Sequence, residues 1–148
     1  ITPVTTAQAP ISAFDSRSST PVTITFQPYS EVPAFSSGFG GVLSVQAPPS
    51  WEFVTSTPSA RRLVSECDVE LWQDGSKFSD SELLCELNRS NLLILTLSSR
   101  PVSAGVEHTI IVPVYNPAEV DVDESITWIL TTYSDASMDA TATLDLVT

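Results

Sequence analysis

Short stretches in which apolar and polar residues alternate are the feature that most constrains the fold of this chain. Val22, Ile24 and Phe26 alternate with threonine and glutamine, which places these three side chains on one face of a β-strand. The same alternation recurs in VLSV at 42–45 and in ATATLDLV at 140–147. Because a sustained period of 3.6 residues is lacking, we do not expect helices to dominate the fold.

Proline, glycine and asparagine separate the alternating stretches and predict where strands end. The clearest local pattern is ELLCELNRSNLLILTLSS, which predicts a hairpin of strands at about 82–88 and 91–98. About nine short strands of this kind predict an all-β fold, an antiparallel immunoglobulin-like β-sandwich. We assign residues 21–148 to this domain and interpret residues 1–20 as a linker or a first edge strand.

The net charge and the apolar content argue against two classes of function, nucleic-acid binding and membrane insertion. The 148 residues include 18 acidic and 6 basic side chains, a net charge of -12, and 42% hydrophobic residues. An acidic surface repels polyphosphate, so we expect no nucleic-acid partner. The hydrophobic content suffices for one core. The apolar runs 92–97 and 108–114 are much shorter than the about 20 residues of a membrane-spanning helix, so we expect no membrane insertion.

The two cysteines indicate the compartment. Cys67 and Cys85 are the only ones, and their spacing does not fit a C-x-x-C metal or redox pair. Their even number, the acidic balance and the abundant Ser and Thr favour an oxidising environment, where a disulfide would close a loop of about 19 residues and contribute roughly 3 kcal/mol. The alternative is two buried thiols in a cytosolic protein. We therefore predict an extracellular or cell-surface location.

Two surface sites are weaker candidates. Asn88-Arg89-Ser90 is a glycosylation sequon at the predicted hairpin tip, so Asn88 is a candidate for N-linked glycans. Asp121, Asp123 and Glu124 form the densest carboxylate group and are weak Ca²⁺ candidates, although their spacing is not that of an EF-hand. A solvated acidic rim is the favoured interpretation, and we expect neither a metal nor a cofactor.

The sequence contains little that is typical of an enzyme's catalytic residues. His108 is the only histidine and opens a predicted strand, and no G-x-S-x-G motif is present, so a catalytic triad is not indicated. Carboxylate pairs for glycoside hydrolysis are expected by chance among 18 acidic residues. We predict that the protein is not an enzyme.

The aromatic residues allow two interpretations. Trp51, Phe53 and Trp128 are predicted to belong to the core, and Trp72 to be partly exposed. The alternative is a sugar-stacking platform formed by the three tryptophans, Trp51, Trp72 and Trp128.

Several segments in fixed order resemble a known type of repeat. They are TITFQP, GGVLSVQAPPSWEF, the two cysteines, NLLILTL, AGVEHTIIVPVYNPAE and TWILTTY. This order is similar to that in the β-sandwich modules strung in tandem along very large secreted or surface proteins of dinoflagellates and related alveolate protists. The similarity runs from about Val22 to Tyr133, and only one copy of the unit is present. The resemblance implies an extracellular structural or adhesive module and carries over no catalytic residues.

Three functions follow as hypotheses. The first is a non-catalytic structural module of an extracellular filament, coat or appendage, one repeat of a longer chain whose partners are neighbouring copies or modules of the same polymer. The second is a cell-surface adhesin or carbohydrate-binding module that uses Trp72, Asp74 and Lys77. The third, least favoured, is a hydrolase built on Asp121 or Asp123.

Overall fold

The computed structural model describes residues 5–8, 19–34, 40–54, 59–115, 127–135, 137–138, 141 and 143–147. These residues form twelve strands and one short 3₁₀ helix, Val64–Cys67, and no α-helix occurs among them. The strands are β1 Thr5–Gln8, β2 Ser19–Phe26, β3 Val42–Gln46, β4 Glu52–Phe53, β5 Ser59–Leu63, β6 Glu70–Gln73, β7 Ser76–Lys77, β8 Leu83–Arg89, β9 Leu92–Leu97, β10 His108–Tyr115, β11 Ile129–Tyr133 and β12 Thr143–Val147. The predicted all-β class is therefore confirmed.

The strands form two antiparallel six-stranded sheets. The first has the order β1-β2-β10-β6-β7, with β4 paired to the far end of β10. The second has the order β12-β11-β3-β9-β8-β5. Strand β10 is central to the first sheet, because it pairs with β2 along its whole length and with β6 and β4 along its other edge.

The core lies between the facing sheets. In β2 and β10 buried residues alternate with more exposed ones, as expected for strands with one face towards the core. Val22, Ile24, Ile110 and Val112 meet buried leucines of the second sheet in one apolar cluster. Strand β9 is buried along almost its whole length, which matches its nearly continuous apolar sequence.

The predicted turns and hairpins are largely present. Strands β8 and β9 pair directly, which confirms the predicted hairpin. The turn between β6 and β7 contains Asp74 and Gly75, with φ of 48° and 82°. Two successive positive φ values are typical of the Asp-Gly turn of a two-residue hairpin.

The alternation of Cys67, Val69 and Leu71 with polar residues predicts a single strand over this segment, but the observed strand begins later. Cys67, Val69 and Leu71 are all buried, but Cys67 ends the 3₁₀ helix and β6 begins only at Glu70. Asp68 separates the two elements with φ of 55°. A residue in this left-handed region cannot continue a strand, so alternating burial here arises from two different elements.

The predicted disulfide is confirmed. Cys67 and Cys85 are bonded, with their Cα atoms 6.4 Å apart, and both are buried. The bond joins the 3₁₀ helix to β8, and β5 immediately before that helix also pairs with β8. The bridge therefore fixes a local chain excursion against its neighbouring strand at the edge of the second sheet.

Gly41 lies where two chain segments approach closely, and substitution there is expected to be costly. A Cβ at this position would contact Val32 Cγ1 and lie 2.8 Å from the Tyr133 carbonyl oxygen and 2.9 Å from that of Pro33. Since two of these atoms are backbone, we expect Gly41→Ala to lower the free energy of unfolding by about 1–3 kcal/mol. Urea denaturation would measure it, with Gly75→Ala as a control that adds conformational strain but no contact.

No helix in the described segments has the length and apolar character that crossing a membrane requires.

Candidate functional site

The two ends of the sandwich, called the Tyr29 end and the Trp51 end, carry different side chains. The Tyr29 end comprises residues 26–33 and 102–108, joined by the Val32–Val102 bridge and by a hydrogen bond from the Gly105 N–H to the Pro28 carbonyl oxygen of 2.8 Å. The Trp51 end comprises residues 46–53, 88–92, 113–115 and 128–130. There the Phe53 N–H donates to the Ser90 carbonyl oxygen at 2.8 Å.

The first and last strands run between these ends in the same direction. Thr5 pairs with Thr25 near the Tyr29 end, and β1 runs from there towards the Trp51 end. Strand β12 also starts near the Tyr29 end, where Asp145 Oδ2 accepts a hydrogen bond from the Ser30 N–H at 3.2 Å. It runs to Val147, which pairs with Leu130 at the Trp51 end. Strand β1 therefore starts at one end of the sandwich, and strand β12 finishes at the other.

The only histidine is a buried structural group. His108 is fully buried and its ring stacks on Phe26 with centroids 5.3 Å apart. Its Nδ1 lies 2.7 Å from the Val106 carbonyl oxygen and its Nε2 2.8 Å from Gln73 Oε1. The same Gln73 oxygen accepts the Ser103 N–H at 3.0 Å. His108 thus joins β6, β10 and the loop before β10.

Burial decides the protonation of His108. Both ring nitrogens face oxygen acceptors, and the hydrogen bond with Val106 favours the charged ring. Burial opposes it more strongly, and the positive charge of Arg100 adds to that effect, so the pKa of His108 is lowered from 6.5. The folded protein therefore holds this histidine neutral at pH values at which an unfolded chain already binds the proton.

This lowered pKa predicts acid sensitivity. The unfolded state binds more protons than the folded state between the folded-state pKa of His108 and 6.5. The free energy of unfolding should therefore fall as the pH drops below 6.5 and level off once the folded state is also protonated. Urea unfolding across this pH range would measure the slope.

The matched variant is His108→Gln, which removes the titrating group. It should be less stable at every pH but should lose the slope just below pH 6.5. The lowered pKa values of Glu82 and Asp135 act in the same direction but start from 4.5 and 3.8, so their effect is confined to more acidic solutions. An unchanged slope in His108→Gln would contradict this assignment.

The residues predicted for carbohydrate recognition lie together on the β6–β7 hairpin. Trp72 and Lys77 are cross-strand partners, and Asp74 is exposed in the turn between them. The Trp72 indole N–H donates to Glu70 Oε1 at 3.0 Å, and Lys77 Nζ lies 3.5 Å from the same oxygen. The half-exposed indole is thus fixed by Glu70, which the sequence did not single out.

The other aromatics gather at the Trp51 end. Trp51 is 1% exposed and Phe53 is 3% exposed, whereas Trp128 is partly buried against the core. Trp128 meets both rings edge-on, with centroids 5.8 Å from Trp51 and 6.3 Å from Phe53. Among the residues that the structure describes, none accepts a hydrogen bond from the buried indole N–H of Trp51. Rings packed against each other in this way leave no face of Trp51 for stacking on a sugar.

The remaining predicted sites are placed as follows. Asn88 is exposed near the end of β8, beside exposed Arg89 and Ser90, a position a glycosyltransferase can reach. Asp121, Asp123 and Glu124 lie outside the described residues. Within the described part of the chain, the side chains form no group of three or more His, Cys, Asp or Glu able to hold a metal ion.

A cleft at the Tyr29 end was missed by the sequence analysis. It has a volume of about 260 Å³ and is lined by Gln27, Pro28, Tyr29, Ala104 and Gly105. Tyr29 is 77% exposed, one of two large hydrophobic side chains left exposed among the described residues. Tyr29 follows a strand-ending proline and belongs to no alternating stretch, so no periodic signal could have identified it.

Comparison with known proteins gives a fold relationship only. No family model matches the chain, and no curated protein matches it. Among solved structures, the crystal structure of the RrgA Jo.In complex is similar, with a TM-score of 0.50 and 8% identity over 88% of this chain and 70% of that chain. At this identity the similarity shows a shared fold alone, that of the all-β sandwich described above.

Proposed function

We propose that this chain is a non-catalytic structural module of an extracellular filament, coat or appendage protein and forms one repeat of a longer chain. The observation that carries the proposal is the course of the terminal strands. Strand β1 begins at the Tyr29 end and β12 finishes at the Trp51 end. Chain segments attached before and after such a domain continue from opposite ends, which suits a row of modules.

Two further observations support an extracellular setting. A disulfide that is buried and joins two elements is typical of proteins that fold in oxidising compartments, and Cys67 and Cys85 form one. RrgA, whose fold is similar, is a bacterial pilus adhesin.

The test is localisation combined with imaging in the native source. A membrane-impermeant label should modify the protein on intact cells, and negative-stain images of the released material should show extended or polymeric particles. Labelling only after permeabilisation would contradict the extracellular setting. Dispersed particles of single-domain size would contradict the structural role.

A recognition module is the second candidate, because of the patch formed by Trp72, Glu70 and Lys77. Its half-exposed indole, with a fixed orientation and two charged neighbours, has features of a sugar-contacting surface. A glycan array read with and without Ca²⁺ separates the candidates. Saturable binding that Trp72→Ala abolishes and Trp128→Phe preserves would favour recognition, whereas a spacer module should bind no glycan.

A further inference from the structure

We propose that the cleft at the Tyr29 end receives Arg89 from the Trp51 end of a second copy of this chain, giving a head-to-tail contact between modules. This inference rests on the proposed function, since it names the surfaces by which consecutive modules would meet. Its evidence is the cleft itself, the charges around it, and the one described cation at the opposite end.

The cleft is already formed in the single chain. Its two walls, residues 27–29 and 104–105, are tied by two hydrogen bonds. Gln27 Nε2 donates to the Gly105 carbonyl oxygen at 2.9 Å, and the Gly105 N–H donates to the Pro28 carbonyl oxygen at 2.8 Å. Gly105 has φ of 71°, and open space surrounds the position of an added Cβ. A preformed site loses little conformational entropy on binding.

The chemistry of the cleft favours a cation. The Tyr29 ring stands 77% exposed, and the face of such a ring attracts a guanidinium or ammonium group. Three exposed carboxylates belong to the same end: Glu31 two residues after Tyr29, Glu107 two residues after Gly105, and Asp74, whose N–H donates to the Glu107 carbonyl oxygen at 3.1 Å. No ion pair within the described residues neutralises these three side chains, so they add negative potential around the ring.

The opposite end supplies a matching group. Arg89 is exposed where β8 ends, in the turn before β9. Of the basic side chains that the structure describes, Lys77 pairs with Glu70 and Arg100 lies near Glu82, whereas Arg89 has no such partner. A contact between two different surfaces of identical copies is heterologous, and it propagates in one direction as an open row. This matches the direction in which the terminal strands run.

The experiment uses the chain produced in a bacterial host, so that no glycan is attached to Asn88 beside Arg89. Sedimentation velocity at increasing protein concentration should show reversible self-association of the wild type that weakens at high salt. Tyr29→Ala and Arg89→Glu should each weaken association by about tenfold or more, since each removes an attraction of the size of a desolvated cation–π or ion-pair contact. Thermal denaturation would verify that these surface variants remain folded.

The most decisive experiment mixes two variants whose charges are reversed on opposite surfaces. Arg89→Glu alone and a Glu31→Lys/Glu107→Lys double variant alone should both remain monomeric. A mixture of the two should associate again, in rows in which the variants alternate. The acidic turn of the first variant then meets the basic cleft of the second, and the unchanged Arg89 of the second meets the unchanged cleft of the first. Leu146→Ser, at the other exposed hydrophobic side chain on β12, serves as the control and should associate like the wild type.

Three results would overturn the proposal: a wild type that stays monomeric at the highest concentrations, self-association that persists unchanged in Tyr29→Ala and Arg89→Glu, or a mixture that does not associate. Loss of association in Leu146→Ser would assign the contact to the β12 edge instead. In each case the module would remain a candidate structural unit, because surface labelling and imaging test that function separately.

Discussion

Removing the disulfide should lower the free energy of unfolding by about 3 kcal/mol. The bond between Cys67 and Cys85 closes a loop across a sequence separation of 18. Without it, the unfolded chain gains the freedom of that loop. We expect the double variant Cys67→Ala/Cys85→Ala to unfold roughly 6–12 °C below the wild type.

The control for this experiment is reduction itself. A thiol reductant should destabilise the wild type by a similar amount and leave the double variant unchanged. Both proteins should keep a β-rich circular dichroism spectrum at low temperature, because the disulfide lies at the edge of the second sheet and the core extends well beyond it. A double variant as stable as the wild type would show that the bridge adds nothing to the fold.

Leu95→Ala should lower the free energy of unfolding by about 2–5 kcal/mol. Leu95 is fully buried on β9, where it pairs with Leu43 on one side and Cys85 on the other. The substitution removes apolar contact and leaves a cavity that the flanking strands can close only partly. Urea denaturation at a fixed pH above 6.5 would measure the loss without the contribution of His108.

Leu146→Ala is the matched control, because it makes the same chemical change at a position that is 59% exposed. We expect this variant to stay within about 0.5 kcal/mol of the wild type. Equal effects at Leu95 and Leu146 would contradict the description of β9 as the buried centre of the second sheet and β12 as its exposed edge.

Periodicity predicted the sheets well because burial on one face leaves a two-residue pattern. Strand β2 shows this directly, since Val22, Ile24 and Phe26, predicted to share one face, are all buried. The hairpin of β8 and β9 was equally clear, since an asparagine-rich turn joins two apolar strands. The disulfide was predictable too, because two cysteines allow only one intramolecular pairing.

Short and edge strands escaped prediction for the opposite reason. Strand β7 has two residues, both exposed, and β5, SARRL, lacks an alternating apolar pattern. Their pairing depends on the neighbouring strands β6 and β8 rather than on their own sequences. The nine predicted strands therefore became twelve without a change of architecture.

The candidate site residues also differ in whether the local sequence could predict their contacts. Trp72 and Lys77 could be predicted to lie together because they belong to one hairpin. The hydrogen bond between Gln73 and His108 could not, because it joins residues 35 positions apart along the chain. The Tyr29 cleft joins segments separated by about 75 residues, through the Gln27–Gly105 hydrogen bond with a separation of 78. Contacts of this range follow from sheet topology, which local sequence patterns do not encode.

The most direct test of the extracellular module is intact-mass spectrometry of the protein from its native source, with and without reduction and after alkylation of free thiols. The account predicts that Cys67 and Cys85 resist alkylation until a reductant is added and that the module belongs to a larger chain. Alkylation of both cysteines in freshly prepared, unreduced material would contradict the account. It would show that both thiols are free, whereas cysteines of proteins in an oxidising compartment form disulfides.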